Sequence, residues 1–305
     1  MATNTINGAN LAAVAEMSLP ALDQMFAPLR AFTTDFSADI AAKGESVVTR
    51  YPNRVTAVDL SSGYTSQNTR SDAVTVTLNS FFGFPYGFFD VERSKSAIDL
   101  NRLFVEPAIA AVGKKVFQDI WGLITDANYP AATQSELLVT AANFDRDDVA
   151  DLAAQLTDNG VPPTGRSLIL NPAYYAALAK DLNSVDIAGQ SRTLGENIIP
   201  RLHGFDVYQT PYVTANAANV TGFACHSSAI AIAARGVDAP ALGNMEVENV
   251  IVPDLGLPVQ FRRWYDERGG ELVYSMGVLY GFANASDASG TPDKRMPGIK
   301  IVSAA

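Results

Sequence analysis

Apolar side chains recur along this chain in two rhythms, one helical and one alternating. Over residues 96–127, SAIDLNRLFVEPAIAAVGKKVFQDIWGLITDA, Ile109, Val112, Val116, Ile120 and Leu123 step by three and four, which gathers them on one helical stripe. Gly113 lies beside the stripe and would admit a close backbone, while Lys114, Lys115, Gln118 and Asp119 occupy much of the opposite side. The pattern predicts a helix covered on one face and wet on the other, roughly 28 Å long from Pro107 to Thr125 at ~1.5 Å per residue. Pro107 either starts it at the first helical position or kinks a longer helix that begins near Ser96.

Upstream, residues 1–45 are rich in Ala, Thr and Asn, with one predicted helix from Leu19 to about Phe32. Ser18 suits its cap, Pro20 its first turn, and Pro28 would kink or shorten it. Leu22, Met25, Phe26, Leu29 and Phe32 repeat at helical spacing, but the polar flanks build little core. The expectation is an arm that leans on some other surface, another subunit being one candidate. Residues 46–92 change rhythm: Val47–Tyr51 and Val55–Leu60 are short β-prone runs separated by Pro52 and Asn53. Residues 61–72 are polar apart from Tyr64 and read as an exposed tip. From Ala73 the alternation is clean, Val74, Val76 and Leu78 against Thr75, Thr77 and Asn79, which predicts a long two-stranded hairpin needing a surface to lie on. Phe81, Phe82, Phe84, Phe88 and Phe89 follow and are expected to anchor its base in core.

Beyond the long helix the elements alternate. Leu137–Thr140 is a predicted strand, and Asp145–Asn159 a helix capped by Asp145, with Asp147 and Asp148 at its positive end and Gly160 as its stop. A strand at 167–170, a helix from Asn171 and Pro172 to about Leu182, a polar loop around Gly189 and Gly195, a strand at 205–209 and strand-like residues 222–234 interrupted at 226–228 complete an α/β layer of about 110 residues. The chain then returns to β: 247–252, 259–265, a turn at 266–270 with Gly269 and Gly270, 272–282, and a last strand at 299–302.

At 305 residues and 48% hydrophobic content there is ample material for a packed core, in one large domain or two. The single cysteine, Cys225, excludes an intrachain disulfide, which fits a reducing compartment. Residues 1–17 lack the pattern of a signal peptide and no run reaches the ~18 apolar residues of a membrane span, so the expectation is a soluble protein with no membrane partner, made in a cytoplasm. A formal charge of −10 argues against gripping nucleic acid through a basic surface. No phosphate loop, GxGxxG, HExxH or GxSxG motif is present, and with two histidines, His203 and His226, a His/Cys zinc cluster is not expected. The sequence therefore assigns no catalytic, cofactor-binding or metal residue. Cys225 beside His226 is the one pair that suggests nucleophile and base, but neighbours in a strand point to opposite faces, which favours a buried thiol and a solvated imidazole. Arg262, Arg263 and Arg268, near Asp266 and Glu267, are either an intersubunit charge patch or a solvated hairpin end.

The order of these parts resembles a tailed-phage major capsid protein of the HK97-like fold, most closely the branch that includes P22-type coat proteins. The resemblance is carried by VVTRYPNRVTAVDL and AVTVTLNSFFGFPYGFFDVE, by DLNRLFVEPAIAAVGKKVFQDIWGLI, by RSLILNPAYYAALAKDL, RLHGFDVYQTPYV and GFACHSSAIAIAAR, and by LPVQFRRWYD and ELVYSMGVLYGF. It implies an α+β chain with an N-terminal arm (1–45), an extended β-hairpin loop (46–92), a peripheral domain with a long spine helix (93–127), an α/β axial domain (128–240), and peripheral β-strands with a C-terminal segment (241–305). The implied function is structural and not enzymatic: hexamers and pentamers of this chain closing into an icosahedral virion shell, assembled in the host bacterial cytoplasm, around DNA bound without sequence specificity. Partners implied are further copies of itself, a separate scaffolding protein, a portal and a cement protein, with no cofactor. Expected intersubunit contacts are Met25, Phe26, Tyr64, Arg70, Arg262, Arg263 and Arg268. No lysine lies between Lys43 and Lys95, so the loop-lysine crosslink of some relatives is not expected. The alternatives are an encapsulin-like nanocompartment shell and, in another class, an α/β enzyme using Cys225 and His226.

Overall fold

A computed structural model of the chain describes residues 18, 22, 26–34, 46–52, 55, 57–61, 63–64, 66, 71–91, 100–184, 199, 201–213, 219–237, 245–252, 256–285 and 296–304. Thirteen strands among these residues form three sheets. In chain order they are β1 (Thr33–Thr34), β2 (Ser46–Pro52), β3 (Ser71–Thr77), β4 (Ser80–Phe89), β5 (Glu136–Val139), β6 (Arg166–Leu170), β7 (Phe205–Gln209), β8 (Val220–His226), β9 (Ile230–Arg235), β10 (Met245–Ile251), β11 (Pro258–Asp266), β12 (Glu271–Asn284) and β13 (Gly298–Ser303). The principal helices are α1 (Leu100–Trp121), α2 (Arg146–Asp158) and α3 (Pro172–Ser184).

The long helix takes the longer alternative, with Pro107 inside it, and it stops at Trp121, short of Thr125. Its 22 residues span about 33 Å. Ile109, Val112, Val116 and Ile120 are buried as the spacing predicts, and Ala108, Phe117 and Trp121 widen the stripe. That face packs on a six-stranded sheet in which β12 is the central ribbon: β11 and then β9 lie along one side of it, β4 along the other, with β10 outside β11 and β1 outside β9. Phe88, Phe261, Tyr274, Met276, Val278 and Tyr280 meet the helix in one core. Asp119 ties helix to sheet, accepting from Tyr280 Oη at 2.7 Å and from Lys115 Nζ at 2.5 Å, while Lys115 lies 4.6 Å from the centre of the Phe82 ring.

The second sheet has the order β5-β13-β8-β6-β7. Helices α2 and α3 cover one face through Val149, Leu152, Leu156, Tyr174, Leu178 and Leu182. Helix α2 begins as its sequence predicts: Asp145 Oδ1 accepts from the N–H groups of Asp147 (2.9 Å) and Asp148 (3.1 Å), and Asp148 answers from the Asp145 N–H. Its far end is held by Arg166, which is 2% exposed and donates to the carbonyls of Ala153, Val161 and Pro162 and to Thr157 Oγ1. On β13, Lys300 is 1% exposed between Asp126 and Glu136, the latter at 2.6 Å. Burial alone would favour its neutral amine, but the two carboxylates outweigh that and hold its pKa above the usual lysine value.

The other face of this sheet meets the N-terminal segment, and here the structure departs from the expected arm. Leu22, Phe26, Leu29, Ala31 and Phe32 are at most 4% exposed and belong to the same core as Ile169, Phe223 and Cys225. The segment is core of its own subunit because its apolar stripe finds the uncovered face of the five-stranded sheet, and β1 then pairs in parallel with β9. As Pro28 foreshadowed, residues Ala27–Ala31 form a 3-10 helix, since proline can donate no backbone hydrogen bond. The interruption at 226–228 is where the chain crosses between sheets: β8 ends in the five-stranded one, and β9 begins in the six-stranded one after a single turn.

Strands β2 and β3 pair antiparallel over their full lengths, and the described residues of 55–60 carry no strand, contrary to the second β-prone run. Hairpin β2–β3 rests on the six-stranded sheet through Val76, with Val47 and Leu78, against Ala231, Ala233 and Ala283. Gly281 permits this seating: a Cβ there would stand 2.0 Å from the Thr77 carbonyl oxygen. The phenylalanines are not its anchor. Phe81, Phe82, Phe84 and Phe89 are 39–51% exposed, and only Phe88 is buried.

Candidate functional site

The Cys225 and His226 pair does not form a catalytic site. Cys225 is fully buried, its sulfur 3.9 Å from the Ala31 carbonyl, and burial pushes its thiol pKa far up, the opposite of what a nucleophile needs. His226, on the opposite face of β8, is a cap: its Nδ1 accepts from the Ser228 N–H (3.2 Å) and sits 2.8 Å from Ser228 Oγ. Among the described residues no three His, Cys, Asp or Glu side chains cluster as metal ligands would. Among those residues, too, no helix is long and apolar enough to cross a membrane.

What the structure presents instead is unfinished surface on the six-stranded sheet. In β4 the even positions, Phe82, Phe84, Tyr86 and Phe88, form an aromatic row; Tyr86 stacks on Tyr274 at 5.7 Å, and burial pushes its hydroxyl pKa up to about 12. The odd positions, Phe81, Gly83, Pro85, Gly87 and Phe89, look the other way, where no helix lies among the described residues. Pro85 is tolerated because, among the described strands, β4 pairs only with β12 and its second edge is open. On this face Gln260, Gly277 and Gly83 sit side by side across β11, β12 and β4. Over Gly277 lies a groove of about 360 Å³ lined by Phe81, Met245, Gln260, Arg262, Trp264 and Ser275. The Phe81 ring leans over Gly277 so closely that a Cβ there would lie 3.1 Å from it.

The expected contact residues fall in different places. Phe26 is 1% exposed in its own subunit's core. Met25 and Arg70 lie outside the described residues. Tyr64 is 92% exposed. Arg262 and Arg263, adjacent in sequence, face opposite sides of β11 and do not make one patch. Arg263 pairs with Glu246 at 2.6 Å; burial opposes its charge, but Glu246 more than compensates and its pKa rises. Arg262 lines the groove, its Nε donating to Gln260 Oε1 at 2.6 Å. Arg268 is exposed at the β11–β12 turn, its backbone N–H donating to Asp266 Oδ1. Trp264 and the Phe81 groove escape notice in the sequence when the run FFGFPYGFF reads as one apolar block. Its alternation of aromatic with Gly or Pro was the available signal.

No protein-family model matches this chain, and no curated protein matches it in sequence. Its fold has clear counterparts among solved structures. The capsid of Ralstonia phage GP4 matches 89% of this chain and 86% of its own with a TM-score of 0.61 at 11% identity. A chain from Mycobacterium phage Che8 matches over 90% of both chains with a TM-score of 0.60 at 18% identity. The mature capsid of bacteriophage PhiM1 matches 90% of this chain and 85% of its own with a TM-score of 0.55 at 10% identity. At such identities the likeness carries the fold: the chain has the α+β, HK97-like fold of phage capsid subunits. The matches run along the whole fold and do not single out the P22-type branch.

Proposed function

We propose that this chain is the major capsid protein of a tailed phage, a structural subunit that assembles with copies of itself as hexamers and pentamers into an icosahedral shell around DNA. The observation that carries this reading is the match of nine-tenths of the chain to phage capsid folds. An open sheet face and an exposed hairpin tip on an otherwise well-packed subunit support it, because large uncovered apolar surface marks interaction sites. In this reading α1 is the spine helix of the peripheral domain, with the six-stranded sheet, and the five-stranded sheet with α2 and α3 is the core of the axial domain. The loop of residues 46–92, with Tyr64, reaches a neighbouring subunit, and Arg262 and Arg268 present charge to it. A separate scaffolding protein, a portal and a cement protein would act with the chain in a host cytoplasm, and the acidic subunit would enclose DNA without holding it tightly. No lysine lies in the loop, so a denaturing gel of purified particles should show single subunits; a ladder of covalent oligomers would refute that part.

The decisive experiment is electron microscopy with sedimentation of the protein from its native source. Closed uniform shells with nuclease-protected DNA are expected. Shells filled with a protein cargo would instead make the chain a nanocompartment subunit. Small soluble particles at every concentration, even with neighbouring genes co-expressed, would overturn the shell reading.

A further inference from the structure

Two features of the subunit are complementary, and among the described residues no hydrogen bond or ion pair joins them. The first is the turn at residues 59–64. Asp59 accepts from the Ser61 N–H at 2.8 Å, the Gly63 N–H donates to the Leu60 carbonyl at 3.1 Å, and Gly63 takes φ +128°. The turn is thus pre-shaped by its own backbone, yet Leu60 is 49% and Tyr64 92% exposed. The Ser61 backbone hydrogen bond, with a smaller contribution from the Ser61 side chain, lowers the Asp59 pKa and keeps this exposed carboxylate ionised.

The second feature is the groove over Gly277. Arg262 is held there by Gln260, and its terminal Nη1 and Nη2 groups have no partner among the described residues. Gln260 is itself 2% exposed and fixed by the Val237 carbonyl and by Asn249 Oδ1, so the guanidinium is oriented, not floppy. A half-buried, pre-aimed guanidinium flanked by Trp264 and Phe81 is built for a carboxylate carried beside apolar side chains. The 59–64 turn offers that combination.

We infer that the Asp59–Tyr64 turn of one subunit seats in the Arg262 groove of a second copy, Asp59 on the guanidinium and Leu60 and Tyr64 against Phe81 and Trp264. Turn and groove are different surfaces of the same chain, so the contact is head-to-tail, the geometry that generates rings when the rotation closes. The inference rests on the shell reading for its occupant, a second copy.

Charge exchange tests it. Asp59→Arg and Arg262→Glu should each lower the fraction of chain in capsomers or shells at least about tenfold, by sedimentation, while leaving the circular dichroism of the subunit unchanged. The double variant should recover assembly to within about threefold of wild type. Single variants that assemble normally, or a folded double variant no better than the weaker single, would overturn the contact. Should the charge variants fail to fold, mixing Leu60→Cys subunits with Ser275→Cys subunits under mild oxidation should give a disulfide-linked dimer absent from either alone; no dimer above those controls would overturn it equally. A wild-type chain that never associates sinks the shell reading itself, whereas a wild-type chain that assembles with these negative results sinks only the turn-in-groove contact.

Discussion

The two large sheets of this subunit are finished to different degrees. The five-stranded sheet is closed on both faces by its own chain: α2 and α3 lie on one side, and Leu22, Phe26, Leu29 and Phe32 with Trp121 and Tyr129 on the other. Strand β6 is accordingly buried at every position. The six-stranded sheet is closed on one face by α1, while among the described residues its other face has the Val76 hairpin at one end and an open groove at the other. A layer buried on both sides stabilises the subunit by itself. A layer left half open keeps apolar area available for association, and in the contact inferred above the Phe81 and Trp264 face serves that end.

The sharpest way to break this contrast is to remove one phenylalanine from each place. Phe223 is fully buried where the two sheets share a core, with ring contacts to Phe32, Trp121 and Tyr129. Phe223→Ala should cost about 3–5 kcal/mol in denaturant unfolding of the subunit. Phe81→Ala, half exposed on the open face, should cost less than about 1 kcal/mol there and show its effect in assembly. Equal losses of subunit stability would contradict the division.

Lys300 gives the next largest effect, and one that depends on pH. Its pKa is raised in the folded chain, so the stability from its ion pairs is fully present below the unfolded value of about 10.4 and is lost as pH rises through the folded value. Lys300→Met should therefore be less stable than wild type at pH 7, with the gap narrowing above about pH 10.5 in a pH series of urea melts. A gap that stays constant with pH would remove the ion pairs as its cause. Asp145→Ala, which removes the α2 cap, should cost about 1 kcal/mol and leave assembly intact. The smallest effect is expected at Cys225: thiol reagents should label it in denaturant and leave it unmodified in the folded subunit at pH 8, where burial keeps the thiol protonated. Rapid native labelling would mean that the five-stranded sheet is less closed than its packing indicates.

Elements governed by near neighbours were legible in the sequence. The cap at Asp145, the stripe of α1 and strands β7, β10, β11, β12 and β13 all follow from spacing and short-range hydrogen bonding, and the order of segments carried the resemblance to a capsid fold. The site was legible only in outline. Of the expected contact residues, Tyr64 is exposed and Arg262 lines the open groove, but Arg263, expected in the same patch, is sent to the opposite face by strand alternation. The aromatic run of β4 was read as core because hydrophobicity does not tell which side of a strand a helix will cover. Residues 1–45 read as an arm in want of a partner surface for the converse reason: an apolar stripe in a polar context records that it wants cover, not whose.

The sequence by itself determined the cap at Asp145, the buried stripe of α1 and the strands from β10 to β13, because those depend on contacts within a few residues. Tertiary structure alone decided that the N-terminal stripe closes the five-stranded sheet, that residues 226–229 carry the chain between sheets, and that the Gly277 row opens a groove beside Arg262. Each of these depends on which surfaces remain uncovered once distant segments have packed, and burial is a property of the assembled layers that no local pattern of residues contains.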